Sequence, residues 1–457
     1  MAQIFHYIHM DLNKNTSKRF NLLTNNLIPW SDTLKDNDYC HKIHSLIEET
    51  NVLDKFNNSS KDEIEEFLKN FNYLKKNFKT IVFVAGQKCF PMMLRQAKLM
   101  RNNGYKTFLI NMETLNENDL NSLKNCFDYA LQNCLFFPVL KSILKKINPD
   151  YFHVQCWMIS YHLGRFIIEN KKNSKVVCDF YDVTGMYSEE QFLKIIYDDF
   201  NVDQDLENEK FIFENADGII HRYKQEIFLD YSKKYKRKKN ILEFQQYPTE
   251  VVKLNKKQKT NKYQFVFCGT LIPPNDINHP KELFNASGLN EAFKSILKNN
   301  HELNIYLPIN GNSIFNKWIF DLKECSYPET LKIHNSLPLE SLITEISKYD
   351  FGINIQEIDM KKTKISHFSY KGAMGTKNYT YLEAGLPILV NDEYSYCKEL
   401  VEKNSIGIAV KSKDLRNIDR ILKNVDIYNL KKNVKKFNVK NNLFEKYNEL
   451  SSFYESL

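Results

Sequence analysis

The sequence predicts an α/β protein with two Rossmann-like domains in series, facing each other across a cleft, behind a mostly helical N-terminal extension. Three observations predict it. From residue 79 onward, short β-branched and aromatic runs alternate with stretches of helical period, the pattern of βαβ units and a mostly parallel sheet. The alternation lapses once, in a polar, Lys-rich stretch over 249–261, and then restarts. The chain has 457 residues, more than one hydrophobic core organises.

The extension covers residues 1–78. Residues 4–8 have strand character. Ser60 followed by Glu63 has capping-box spacing, and Ile64, Phe67, Leu68, Phe71 and Leu74 recur at helical period after it. In the first domain, 79–250, strands are expected at 80–84, 107–110, 151–154, 175–180, 218–220 and 241–244. A helix at 91–102 is stopped by Gly104. In the second, 262–429, strands are expected at 263–268, 303–307, 331–334, 351–355, 386–390 and 406–410. Helices fall at 289–298, 315–323, 339–348, 396–403 and 415–423. Residues 430–457 read as helices that return to the first domain. Open sheets of this kind bind ligands outside the carboxyl ends of their strands, here toward the cleft.

Composition narrows the function classes. No run is long and apolar enough for a transmembrane helix, and residues 1–11 lack the pattern of a secretory leader. The nine cysteines are scattered with no CxxC pair. That argues against a zinc site or disulfide framework and for a reducing, cytoplasmic setting. The formal charge is +8, concentrated in runs at 233–239 and 253–262. Such runs suit nucleic acid, anionic lipid or a phosphorylated substrate. No nucleic-acid-binding signature accompanies them.

The most informative stretch is 351–391. A strand end is followed by a polar loop, then Gly372-Ala-Met-Gly375-Thr376-Lys377, a helical turn through Tyr381 and Leu382, a stop at Gly385 and a second strand. A loop bearing glycines that opens a helix makes an anion site, because the first backbone N–H groups have no partner and the helix dipole favours negative charge. Lys377 adds a full positive charge there. The expected ligand is the diphosphate of a nucleotide-sugar. The loop lacks Walker A spacing. Asp203-Gln-Asp205 has the spacing of a metal-binding pair but is expected in an acidic loop, so no metal or cofactor is assigned.

These segments resemble the GT-B glycosyltransferases, in particular bacterial retaining enzymes of group 1 type. The resemblance covers 79–457 and is strongest over 331–390. Thr376-Lys-Asn-Tyr-Thr-Tyr-Leu-Glu-Ala-Gly-Leu-Pro387 is similar to the family's "NKxxEYxAAGLPV" segment, and Lys377, Tyr381, Ala384, Gly385, Leu386 and Pro387 match. Thr380 stands where the family has a ribose-gripping glutamate. Three alternatives stay open: Thr380 makes a weaker hydrogen bond, Glu383 substitutes for the glutamate, or the donor is unusual. Residues 265–270 resemble the first strand of the donor domain, with Leu271 in place of a following arginine and Lys281 as the remaining phosphate-binding lysine. Residues 149–155, 179–182 and 209–221 are similar to first-domain elements, with Gln155 where a second histidine often stands.

The resemblance implies a metal-independent, retaining transferase that moves a sugar from a nucleotide-diphospho-sugar to a glycan, lipid-linked or protein acceptor in surface polysaccharide or glycoconjugate synthesis; the basic runs are expected to hold this cytoplasmic protein on the inner face of the membrane. Lys377, Asp182 and His153 are the catalytic candidates. Gly269, Thr270, Lys281, His334, Gly375, Thr376, Thr380 and Glu383 are donor-binding candidates. Gly86, Gln155 and Tyr181 lie on the acceptor side. The departures at 271 and 380 also keep open a non-catalytic glycan-binding or partner subunit of the same fold.

Overall fold

The computed structural model describes residues 58–86, 90–112, 123–132, 137–158, 161–194, 199–237, 239–249, 262–269, 289–307, 313–356, 358, 360–361 and 363–457. The expected strand at 4–8 and nearly all of the lysine stretch at 249–261 lie outside them.

Two all-parallel sheets organise these residues. The first contains β1 (Thr80–Ala85), β2 (Lys106–Asn111), β3 (Tyr129–Leu131), β4 (Tyr151–Cys156), β5 (Lys175–Phe180), β6 (Gly218–His221) and β7 (Ile241–Glu243), in the order β3-β2-β1-β4-β5-β6-β7. The second contains β8 (Gln264–Cys268), β9 (Glu302–Leu307), β10 (Leu331–Asn335), β11 (Phe351–Asn354), β12 (Ile388–Asn391) and β13 (Gly407–Val410), in the order β10-β9-β8-β11-β12-β13. Central strands such as Thr-Ile-Val-Phe-Val-Ala are buried throughout, as expected of parallel strands covered on both faces. Strand order reverses between β1 and β4 in one sheet and between β8 and β11 in the other. Each reversal opens a crevice at the strands' carboxyl ends.

The helices of the first half are α1 (Asn58–Lys75), α2 (Pro91–Asn102), α3 (Phe137–Leu144), α4 (His162–Asn170), α5 (Thr184–Tyr187), α6 (Glu190–Leu193), α7 (Asp199–Asn215) and α8 (Gln225–Ser232). Those of the second are α9 (Leu289–Lys298), α10 (Ser313–Glu324), α11 (Leu339–Ile346), α12 (His367–Gly372), α13 (Thr376–Glu383), α14 (Ser395–Asn404), α15 (Ile418–Leu422), α16 (Ile427–Lys440) and α17 (Tyr447–Glu455).

Helix α1, in the expected N-terminal extension, packs on the first sheet: Phe67 and Phe71 lie edge-on against Phe108 of β2, and Ile64 and Leu68 are buried with them. Two expectations change. The acidic segment expected as a loop is helix α7. Its buried Val202, Ile212 and Phe213 hold it to the domain, and its buried acids are satisfied rather than solvated. Asp205 accepts from the Tyr161 amide and the Thr184 hydroxyl, while Asp203 pairs with Lys194. These two carboxylates are therefore used structurally and do not form a pair. The polar loop after β11 also contains a helix, α12, capped by the Ser366 hydroxyl on the Phe368 amide.

The domains are not loosely tethered. One apolar cluster runs from Ile81, Phe83 and Met100 through Phe244 and Tyr247 to Tyr379, Tyr381 and Leu382, then to Phe437, Leu450 and Tyr454. Helix α17 returns to the first sheet, where the Tyr454 hydroxyl meets His153 Nδ1 at 2.6 Å and Glu455 reaches Lys79.

Helix α13 is fixed in the second sheet's crevice by Tyr381. Its hydroxyl accepts from the Cys268 amide at 2.9 Å and donates to the Ile353 carbonyl at 3.1 Å, joining β8 to β11 where they part. The ring needs Gly352, since a Cβ there would lie 2.2 Å from Tyr381 Cγ. Tyr381→Phe leaves a buried amide unpaired and is expected to cost about 1–3 kcal/mol, measured by denaturant unfolding. Gly352→Ala is expected to cost a similar amount, about 1–3 kcal/mol, by overpacking.

Candidate functional site

The second sheet's crevice is lined by Gly269 after β8 and by the Gly375–Lys377 turn that opens α13. Gly269 has φ +122°, a conformation glycine alone adopts readily. A Cβ there would lie 2.6 Å from Lys377 Cε. The glycine therefore makes room for the lysine's alkyl chain, whereas the sequence suggested room for a ligand. Lys377 Nζ lies 4.3 Å from the centroid of the Phe267 ring. No carboxylate pairs with it among the described residues. Burial of this ammonium beside an aromatic ring pushes its pKa down from 10.5 to about 8. The side chain keeps part of its surface accessible, so its charge can be met from the crevice.

The turn before Lys377 is shaped by asparagines that pattern reading does not single out. Asn354 at the end of β11 donates to Asn378 Oδ1 at 2.9 Å. A Cβ on Gly375 would lie 2.9 Å from Asn354 Nδ2. Gly375 occupies the N-cap of α13 and offers no side-chain acceptor to the helix's first amides. Thr376 begins the helix. A lysine without a carboxylate partner and a helix start without a side-chain cap thus share one crevice.

Thr380 and Glu383, expected at the donor, lie one turn apart and face the chain segment leaving the first sheet. Thr380 is buried and receives a hydrogen bond from Gln246 Nε2 at 3.3 Å. Glu383 is fully engaged. Arg95 of α2 reaches one carboxylate oxygen at 2.5 Å, and the Thr249 amide and hydroxyl reach the other at 2.7 Å each. Arg95 also donates to the Tyr247 carbonyl at 2.7 Å. Glu383 joins the two domains and has no oxygen left for a ribose. Sequence proximity to Thr380 suggested the substitution; a partner 288 residues away decides otherwise.

His334 lies on the edge strand β10, stacked on Tyr306 at 4.3 Å and bonded to Asn304. Strand β9 separates it from the crevice. Burial and the nearby Lys348 lower its pKa. Thr270 and Lys281 lie outside the described residues.

On the first domain, His153 is corrected. It sits inside β4, fully buried, with Nδ1 on the Tyr454 hydroxyl and Nε2 3.2 Å from Asp179. Nδ1 serves the packing of α17 and Nε2 the pairing with β5, and the ring has no exposed surface. Gly86 is buried just past β1. Gln155 is also structural: its Oε1 accepts from the Phe90 amide at 2.9 Å. The Tyr181 hydroxyl accepts from the Met93 amide, and its ring lies 4.5 Å from Phe90.

Asp182 is different. It follows β5, keeps 27% of its side-chain surface exposed, and accepts from Trp157 Nε1 at 2.7 Å. Arg222, just past β6, lies over the Tyr181 ring at 4.3 Å and 3.9 Å from Asp182, and its Nε has no hydrogen-bond partner among the described residues. Trp157 and Arg222 are further cleft-side residues absent from the motif reading, although both fall directly after strand ends.

The two sides meet along a backbone seam. Tyr223 bridges Ala373, the Lys224 amide donates to the Gly372 carbonyl at 2.8 Å, and Ser188 bridges Ile365. Arg222 is one residue before this seam, and Gly375 is two residues after it. The structure thereby brings Asp182 and Arg222 to the same seam as Gly375, Thr376 and Lys377, and leaves His153, His334 and Glu383 out.

Residues 286–446 match the family model described as "Glucosyltransferase 3-like, C-terminal domain". No curated protein matches the chain. Among solved structures, HepE from Anabaena in complex with UDP-glucose is similar with a TM-score of 0.58 and 10% identity, over 83% of this chain and 100% of that one. The same protein with UDP and glucose gives 0.57 at 10% identity and the same coverage. The N-terminal domain of the Candida albicans trehalose-6-phosphate phosphatase gives 0.52 at 8% identity, over 82% and 96%. At these identities the likeness is one of fold, and the fold is GT-B.

Breaking the Arg95–Glu383 pair leaves a buried charge uncompensated. Glu383→Ala and Arg95→Ala are each expected to cost about 3–5 kcal/mol of stability, read from chemical denaturation. Equal losses from both variants separate this domain-joining role from ribose contact, which Arg95 does not share.

Proposed function

We propose that this chain, a GT-B protein of glycosyltransferase type, moves a sugar from a nucleotide-diphospho-sugar to a glycan, lipid-linked or protein acceptor, by a retaining and metal-independent route. The observation that carries the reading is Lys377: a cation without a carboxylate partner, laid across Gly269 in the second sheet's crevice and opening a helix with no side-chain cap. HepE, of the same fold, is described in complex with UDP and with UDP-glucose.

In this reading the donor diphosphate lies against the first amides of α13 and Lys377. As the anomeric C–O bond breaks, negative charge grows on the leaving phosphate. A preset ammonium and fixed backbone dipoles stabilise that charge more than they stabilise the intact donor. The acceptor hydroxyl enters from the first domain, and its oxygen forms the new bond to the anomeric carbon. Its proton passes to the leaving phosphate oxygen or to Asp182, the exposed carboxylate of that side. Lys377 and Asp182 keep their assigned roles, and His153 does not. A non-catalytic partner subunit is the second reading, favoured by the complete engagement of Glu383, the nearest carboxylate on α13. It predicts that no nucleotide binds.

Calorimetric titration with UDP, GDP, CMP and ADP, followed by transfer and hydrolysis assays over a donor panel, distinguishes the two. Lys377→Ala is expected to lower kcat/KM by about a hundredfold or more; full activity would remove Lys377 from the mechanism. The depressed pKa sets a pH signature. Only the protonated ammonium attracts the diphosphate, so nucleotide affinity is expected to fall as pH rises through about 8. Binding should take up protons there. Lys377→Arg, whose guanidinium stays charged, should flatten the dependence.

A further inference from the structure

Part of the basic run at 233–239 is engaged within its own domain, while Lys236 and Lys239 are exposed. In the 233–239 run, Lys233 pairs with Asp230. Lys234 lies over the Tyr231 and Tyr235 rings beside Glu209. Arg237 is spent on the Phe213, Ala216 and Asp217 carbonyls. Residues 253–261 lie outside the described ones.

Helix α16 presents a different picture. Val434, Phe437 and Asn438 form its buried face, and Asn438 donates to the Leu382 carbonyl at 2.6 Å. Lys431, on that side, bonds the Tyr349 carbonyl at 2.7 Å. The opposite face carries Tyr428, Lys432, Lys435, Lys436, Val439 and Lys440, all exposed. At 3.6 residues per turn, Tyr428, Lys432, Lys435 and Val439 fall on one line, with Lys436 and Lys440 beside it. None of these four lysines has a carboxylate within ion-pair distance among the described residues. Tyr428 is 67% exposed and Val439 53%, and Phe444, just past the helix end, is also 53% exposed.

On this face Tyr428 and Val439 stand at the two ends of the lysine row, and Phe444 follows the helix end. A helix with lysines flanking exposed aromatic and aliphatic groups has the composition of one that lies in a lipid headgroup region. There the apolar groups enter the acyl boundary and the ammonium groups meet anionic headgroups. We propose that the outer face of α16, with Phe444, docks this protein on an anionic membrane surface. The complementarity is twofold: four uncompensated positive charges for the headgroups, and Tyr428, Val439 and Phe444 for the layer beneath. The same helix buttresses α13 through Asn438, so the docked face and the proposed donor crevice share one rigid support. The inference does not depend on the sugar-transfer reading.

The test is co-sedimentation of the full chain with vesicles of phosphatidylcholine alone or with 30% phosphatidylglycerol (about a third anionic lipid, as a negatively charged leaflet requires). Binding is expected only to the anionic vesicles and should weaken with salt. Replacing Lys432, Lys435, Lys436 and Lys440 together by Gln is expected to reduce binding about a hundredfold or more. Tyr428→Ser with Phe444→Ser should reduce it about tenfold while leaving the salt dependence in place. All substituted positions are exposed, and unchanged thermal unfolding midpoints verify the fold. Equal binding to both vesicle types, or undiminished binding by the lysine variant, overturns the proposal. So does binding to soluble polyglutamate with none to vesicles, which would assign the face to an acidic protein.

Discussion

The Tyr381 phenol is the contact on which the site depends. It ties together the two strands that part at the second sheet's reversal, and it does so from within the helix that opens toward the cleft. Helix α13 is only eight residues long, and an isolated helix of that length is not stable. It persists because each side is fastened: Lys377 against Gly269, Tyr381 into the space left by Gly352, Glu383 to Arg95, and the Leu382 carbonyl to Asn438 of α16. Position along this helix thereby decides role. Its first turn faces the crevice, and its last turn belongs to the joint between domains.

Burial explains which parts were legible in the sequence. Parallel strands covered on both faces read as unbroken apolar runs, so the strands of both sheets stand out even though the chain is only about 10% identical to structures of the same fold. Lys377 is legible because glycines and a helix start are local features. Glu383 and His153 are not, because what each side chain does is set by groups hundreds of residues away. A carboxylate near a binding motif looks available until Arg95 and Thr249 are found on it. A histidine near a strand end looks catalytic until Tyr454 occupies its ring. Helix α7 was missed for a related reason: its acids suggested a solvated loop, but Asp205 and Glu209 are buried and paid for by hydroxyls and amides of neighbouring elements.

The continuous apolar cluster and the seam at Tyr223–Ala373 bear on how the cleft works. Two domains linked only by a polar strand would be expected to move freely. Here a buried ion pair, backbone bridges and shared apolar side chains hold the segment after β6 and the segment before the Gly375–Lys377 turn at one seam. In the proposed mechanism the groups of both sides are already in place, and little reorganisation is needed at Lys377 when charge develops.

The return of α17 to the first sheet has a consequence for the order of assembly. His153 lies in the middle of the first sheet, yet its partner Tyr454 is 301 residues further on. During synthesis the first sheet emerges with that histidine unmatched, and it stays incomplete until α17 has emerged. Contacts so far apart in sequence slow folding, and the first domain is not complete until the second has been made. Its folding is closed by a clasp rather than advanced by stages. Damage to the closing residues would be felt first in the part of the protein made earliest.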